Sequence, residues 1–158
     1  MKKINQYTFI LITILLSSCS TFNKAASEKV LRSDVSGTWV LTDIDLEDFP
    51  VGFSVGNLFH MTDYLDFQNS IWDLKGGGTG SISLTNGTIQ PIYWSINKAG
   101  GIPTFQFKKL REGQKAKEVD TGYSLEFGDV LNGMLIFKTP VDLTTGQRAY
   151  IKLSLSKQ

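Results

Sequence analysis

The chain reads as all-β: an eight-stranded up-and-down antiparallel barrel over residues 36–158. Three observations predict it. From Ser36 onward apolar and polar residues alternate with a period of two rather than 3.6, the mark of half-buried strands. Eight such runs occur, nearly all joined by short connections, and two of these contain Asn-Gly (Asn86-Gly87 and Asn132-Gly133), the strongest short-range hairpin signal. The composition supplies a core and turns: Phe, Trp and Tyr make up 11% of residues, with 15 Gly, only 4 Pro and a single Cys. Eight meandering strands can close on themselves and leave no edge. At that number the interior is filled by side chains or holds one small ligand.

Taken in order, residues 1–18 read as an export signal. Lys2 and Lys3 supply the charged start, Phe9 to Leu16 the apolar core, and Ser17 and Ser18 the small residues before a cut. The apolar run is short of the ~20 residues that span a bilayer. Leu16-Ser17-Ser18-Cys19 resembles the lipobox of bacterial lipoproteins. That resemblance implies that Cys19 is S-lipidated, that the chain is cut just before it, and that the mature protein hangs from a membrane. A diacylglyceryl group with an N-acyl chain, usual in that class, anchors firmly where one acyl chain holds weakly, since each buried CH₂ contributes ~0.8 kcal/mol. The alternative, an ordinary secretory signal, leaves an unexplained reactive thiol. Ser20 stands where an aspartate often signals inner-membrane retention, which favours the outer membrane of a two-membrane cell envelope. Residues 19–35 form the lipidated N-terminus and a polar tether, either plain chain or with a short helix around Ala25–Arg32. Removing the signal takes the formal charge from +1 to about −1, which leaves no nucleic-acid footprint.

The strands follow. The first is Thr38–Asp45, and a long connection, Leu46–Asp63, leaves it. The second lies near Tyr64–Lys75, with an irregularity expected at Gln68-Asn69-Ser70. Thr79–Thr85, Thr88–Ile96, Pro103–Leu110, Thr121–Val130, Met134–Val141 and Gln147–Ser156 complete the set. Alternation assigns the inside: Ile92, Trp94 and Ile96; Phe105 and Phe107; Tyr123, Leu125 and Phe127; Ile151, Leu153 and Leu155. Phe137 has either face, since Met134 and Ile136 offer the other. The same alternation would suit a membrane barrel turned inside out, but a lipid anchor would then be redundant, and the chain ends Ser156-Lys157-Gln158 without a terminal aromatic.

Gly37-Thr38-Trp39 at the start of the first of eight strands, followed by a long first connection, resembles the lipocalin pattern. More narrowly, Gly37-Thr38-Trp39-Val40-Leu41, Asn69-Ser70-Ile71-Trp72, Ile92-Tyr93-Trp94-Ser95-Ile96 and Gly122-Tyr123 resemble the lipocalin-like lipoproteins of certain two-membrane bacteria. The resemblance implies that Trp39 plugs the closed end of the barrel and that an arginine after the last strand packs across it. Arg148 lies at the wrong end of an antiparallel neighbour for that task. Lys157 lies at the correct end, so Gly37, Trp39 and Lys157 are the expected closure.

No acid–base site emerges. His60 is the only histidine and Cys19 the only cysteine, so the common zinc sets cannot be built. Asp43, Asp45, Glu47 and Asp48 read as a solvated run rather than a calcium loop, and Lys75-Gly76-Gly77-Gly78-Thr79-Gly80-Ser81 as a hairpin turn rather than a phosphate cradle. Lys108, Lys109, Arg111, Lys115 and Lys117 form a basic cluster, either a solvated loop or a contact for head groups or a partner. The remaining candidate is the barrel mouth. Phe49, Phe53, Leu58, Phe59 and Met61 make the first connection apolar enough to fold over it as a lid. Trp72, Trp94, Phe107, Tyr123 and Phe137 then either wall a cavity or fill the barrel. The expected function is a membrane-anchored lipocalin-like lipoprotein that binds a small hydrophobic molecule in the cell envelope, without catalysis or cofactor. The alternative is a filled barrel serving as an interaction or structural module of the envelope.

Overall fold

The computed structural model describes residues 30–131 and 133–158; Cys19, the expected export signal and most of the expected tether lie outside them. The chain enters through a short helix, α1 (Arg32–Val35), followed by β1 (Gly37–Glu47). A small hairpin, β2 (Asn57–Leu58) and β3 (Thr62–Asp63), and a 3-10 turn (Tyr64–Phe67) occupy the first connection. Then come β4 (Ile71–Leu74), β5 (Thr79–Ser83), β6 (Ile89–Asn97), β7 (Thr104–Lys109), β8 (Tyr123–Leu131), β9 (Met134–Asp142) and β10 (Arg148–Lys157). The eight long strands form one closed antiparallel barrel in the order β1-β10-β9-β8-β7-β6-β5-β4. Every barrel strand therefore pairs with its sequence neighbours, and β1 closes the ring by pairing with both β4 and β10.

The expected second strand shortens to Ile71–Leu74 for local reasons. The Asp63 carboxylate accepts from Leu65 N at 2.9 Å and starts a 3-10 turn in place of strand. Asn69 takes a positive φ of 63°, and its backbone pairs with Leu41 instead of continuing a ladder. At the same level β1 bulges between Leu41 and Asp43, and Gln68 Nε2 donates to the freed Thr42 carbonyl at 2.6 Å. A second bulge in β8, between Phe127 and Val130, sits at Gly128, where a Cβ would lie 2.6 Å from Ile136 Cγ2. Each bulge adds a residue on one strand, which bends it as closure requires.

The inward set matches the alternation. Trp39, Leu41, Trp72, Leu74, Ile82, Ile92, Trp94, Phe105, Phe107, Leu125, Phe127, Leu135, Phe137, Ile151, Leu153 and Leu155 are all buried. Register resolves the ambiguity in β9: Leu135 and Phe137 face in, while Met134 is exposed. On the outside of β1, β9 and β10, Lys138 pairs with Glu47 at 2.6 Å and Lys152 with Asp45 at 2.7 Å. The acidic run of β1 is thus partly ion-paired across strands rather than simply solvated.

The folded unit begins before Ser36. Val30 and Val35 are buried against the end of the barrel where β1 starts. Trp39 Nε1 donates to the Val35 carbonyl at 2.8 Å. Arg32 Nη2 donates to the Trp94 carbonyl at 3.0 Å, and its guanidinium lies over the Trp94 ring at 4.6 Å. The stretch expected to be tether therefore contributes its last residues to the closed end.

Candidate functional site

At the closed end, Trp39 and Lys157 are directly paired across β1 and β10, and Lys157 Nζ lies 5.5 Å from the Trp39 ring centroid. A cation over an indole face contributes ~0.5–2 kcal/mol. Gly37 makes room for it. Its φ is +141°, and a Cβ there would lie 3.0 Å from Lys157 Cε. Arg148 is at the far end of β10 in an exposed pair with Asp142 at 2.8 Å. The arginine over a tryptophan in this end is Arg32, over Trp94 rather than Trp39. Sequence reasoning missed it because it precedes the first strand; its spacing from Trp39 carried no periodic signal.

At the other end the mouth is closed by Phe59. Leu58 to Met61 form a turn closed by Met61 N to Leu58 O at 3.0 Å. Phe59 and His60, its central residues, both have positive φ, 52° and 48°. A turn of that hand is ordinarily built from Asn-Gly or Gly-Gly. Bulky residues there cost roughly 1–2 kcal/mol each. The conformation drives the Phe59 ring into the barrel, where it is 4% exposed. It meets Phe107 at 5.0 Å, Tyr123 at 5.3 Å, Phe67 at 5.6 Å and Trp72 at 6.2 Å, in each case edge to face.

Polar bonds latch the turn. Tyr123 Oη donates to the Phe59 carbonyl at 2.6 Å. Lys109 Nζ donates to the same carbonyl at 2.9 Å and to the His60 carbonyl at 3.0 Å. His60 Nδ1 lies 3.1 Å from Tyr123 Oη. Two lysines of the expected basic cluster are thus structural: Lys109 holds this turn, and Lys108 Nζ donates to the Ala116 and Val119 carbonyls at 3.2 and 2.6 Å. Of the apolar residues expected in a lid, Leu58 and Phe59 are buried, and Phe49 and Met61 pack against the core. Phe53 remains 44% exposed and meets the Phe49 ring at 5.0 Å, tilted by 39°.

The five wall candidates come together inside the barrel. Trp72 lies 6.2 Å from Phe107 and 6.0 Å from Phe137, and Phe107 stacks on Tyr123 at 5.0 Å. Phe105, which was not among the candidates, bridges them, 4.5 Å from Phe137 and 5.7 Å from Trp94. A ladder of rings therefore runs from Phe59 at the mouth to Trp94 and Arg32 at the closed end. Trp94 Nε1 and Thr139 Oγ1 are buried without a hydrogen-bond partner among the described residues. Such orphans are uncommon in folded proteins. Among the described residues no group of three His, Cys, Asp or Glu converges, at His60 or elsewhere. Comparison with protein-family models, curated proteins and solved structures finds no match to this chain.

Proposed function

We propose that this barrel is a binding protein for a small, mostly apolar molecule, and that Phe59 occupies the ligand's place at the mouth when none is bound. The observation that carries the reading is the Phe59-His60 turn. A buried aromatic ring is held on backbone that its residue type disfavours, by bonds to carbonyls that water could replace. Strain of this kind persists where surrounding structure over-determines it, and it clusters at ligand clamps and switches. A ligand ring seated against Phe107, Tyr123 and Trp72 would replace the contacts of Phe59 and release the turn. Trp94 Nε1 offers a buried donor to a ligand acceptor that reaches the interior.

The rest of the reading rests on the sequence. Leu16-Ser17-Ser18-Cys19 supports lipidation at Cys19 and a place in the cell envelope, on the outer membrane rather than the inner. Gly37-Thr38-Trp39 with the eight-strand order supports a lipocalin-like lineage. The role is binding, not catalysis. A second reading, a filled barrel serving as an envelope module, is favoured by the unbroken ring ladder itself.

Native mass spectrometry separates the two. Protein purified gently from its own membrane carries extra non-covalent mass under the first reading, and a Trp72→Ala variant loses it. A clean apo mass that stays unchanged after incubation with fatty acids overturns the first reading and leaves the second.

A further inference from the structure

A concavity lies on the outer wall of the barrel. It is a groove of about 650 Å³ between the surface of β6, β7 and β8 and the overhanging connection at Ala116–Asp120. Volumes of a few hundred Å³ are typical of small-molecule sites. Its floor is built by register. Ser95 pairs with Gln106, and Gln106 with Ser124, so the three stand in one row across adjacent strands. Neighbouring strands lie ~4.8 Å apart, which spaces these side chains on the scale of hydroxyl groups around a sugar ring. Tyr93 and Lys108 form the next outward row.

The chemistry of that floor is selective. Serine hydroxyls and the glutamine amide each both donate and accept, and among the described residues no side-chain hydrogen bond engages Ser95, Gln106 or Ser124. A hydroxyl-bearing ligand, which also donates and accepts at each position, suits such a row. An anion would need free cations, but the Lys108 ammonium is committed to the Ala116 and Val119 carbonyls. Lys117 and Asp120 on the rim offset each other in charge. A purely apolar ligand would leave the floor unpaired. Tyr93 and Ala116 supply the apolar contact that the C–H face of a sugar takes.

We propose that this groove binds a neutral saccharide, with Gln106 and Ser95 pairing its hydroxyls and Tyr93 under its ring. The groove and the mouth lie on opposite faces of the same strands and share Phe107 and Tyr123 in their linings.

The test is saturation-transfer NMR on the full chain in detergent, with maltose, cellobiose and N,N′-diacetylchitobiose as probes. At least one disaccharide should receive saturation. Gln106→Ala should weaken its apparent affinity at least tenfold, and Ser124→Tyr, a bulky change at an exposed position, should abolish it with the near-ultraviolet circular dichroism of the buried tryptophans unchanged. The proposal is overturned if none of the three probes receives saturation, if both groove variants bind as the parent does, or if inorganic phosphate displaces the sugar.

Discussion

Tyr123 holds Phe59 twice: its hydroxyl donates to the Phe59 carbonyl at 2.6 Å, and its ring meets the Phe59 ring edge to face at 5.3 Å. One side chain thus fixes both the backbone and the side chain that close the barrel. A small set of changes separates the strain in this turn from the bonds that hold it.

Tyr123→Phe keeps the ring contacts and removes the hydroxyl. A hydrogen bond of this kind contributes ~1 kcal/mol net. The expected outcome is a loss of that order in denaturant titration, with faster amide exchange confined to residues 57–62. His60→Gly acts the other way. It relieves one positive-φ position at an exposed residue and should raise stability by up to about 1 kcal/mol. Glycine also removes the His60 Nδ1 contact with Tyr123 Oη, so a loss larger than the ~1 kcal/mol of that contact would show that the turn carries no strain to relieve.

The closed end predicts a coupling. Gly37→Ala should destabilise by roughly 1–2 kcal/mol, because Gly37 has a positive φ and its missing Cβ faces Lys157 Cε. Lys157→Ala should remove part of that penalty. A double-mutant cycle measured by chemical denaturation should therefore give a non-zero interaction energy. Strict additivity would mean that only backbone strain, and not the lysine across Trp39, requires the glycine.

The α1 segment predicts where the domain can be cut. A chain starting at Ser36 loses the burial of Val30 and Val35, each worth ~1.5–3 kcal/mol, and the Arg32 contact with Trp94. It should melt well below a chain starting at Val30. Arg32→Lys should recover only part of an Arg32→Ala loss, since lysine lacks the planar fork that stacks and donates at once.

Acidity should act through the outer ion pairs. The hydrogen bond from Lys152, and then its charge, holds the Asp45 carboxyl below its ordinary range, and donating that same bond to Asp45 holds Lys152 above its own. Asp45 therefore stabilises the fold above the ordinary carboxylate pKa and loses that contribution as pH falls through its lowered value. Lys152 contributes below the ordinary lysine pKa and loses it only as pH rises past its raised one. The stability difference between the parent and Asp45→Asn should be flat near neutrality, shrink on acidification, and be smaller in high salt. A difference that does not change between neutral and strongly acid pH would contradict this assignment.

Much of this was legible in the sequence where the local rule and the global fold agree. Ile92, Trp94, Phe105, Phe107, Leu125 and Leu153 alternate with polar residues in straight strands, so period two assigned them inward. Asn86-Gly87 announced its turn because the backbone it needs is the one glycine adopts freely. The pattern failed where tertiary contacts overrule local preference. Tyr64 to Phe67 alternates well enough for a strand, yet Asp63 caps a 3-10 turn there. Phe59-His60 has no turn signature at all, because Lys109 and Tyr123, far along the chain, hold a conformation that the dipeptide itself disfavours. Phe105 escaped the list of wall residues although its parity was known: parity says which side a residue faces, not which rings it touches. Arg32 escaped for a different reason, since polar sequence before the first strand gives no sign that it folds back across an indole.

The most direct measurement is the affinity of an apolar probe for the parent chain and for Phe59→Gly, followed by titrating a fluorescent fatty acid. Glycine keeps the turn's backbone while removing the ring that fills the mouth. If Phe59 stands in for a ligand, the parent binds the probe weakly and the variant binds it at least about tenfold more tightly, because the closed state no longer competes. Equal affinity in the two chains, or no binding in either while both remain folded, would contradict the account and leave the barrel as a filled module.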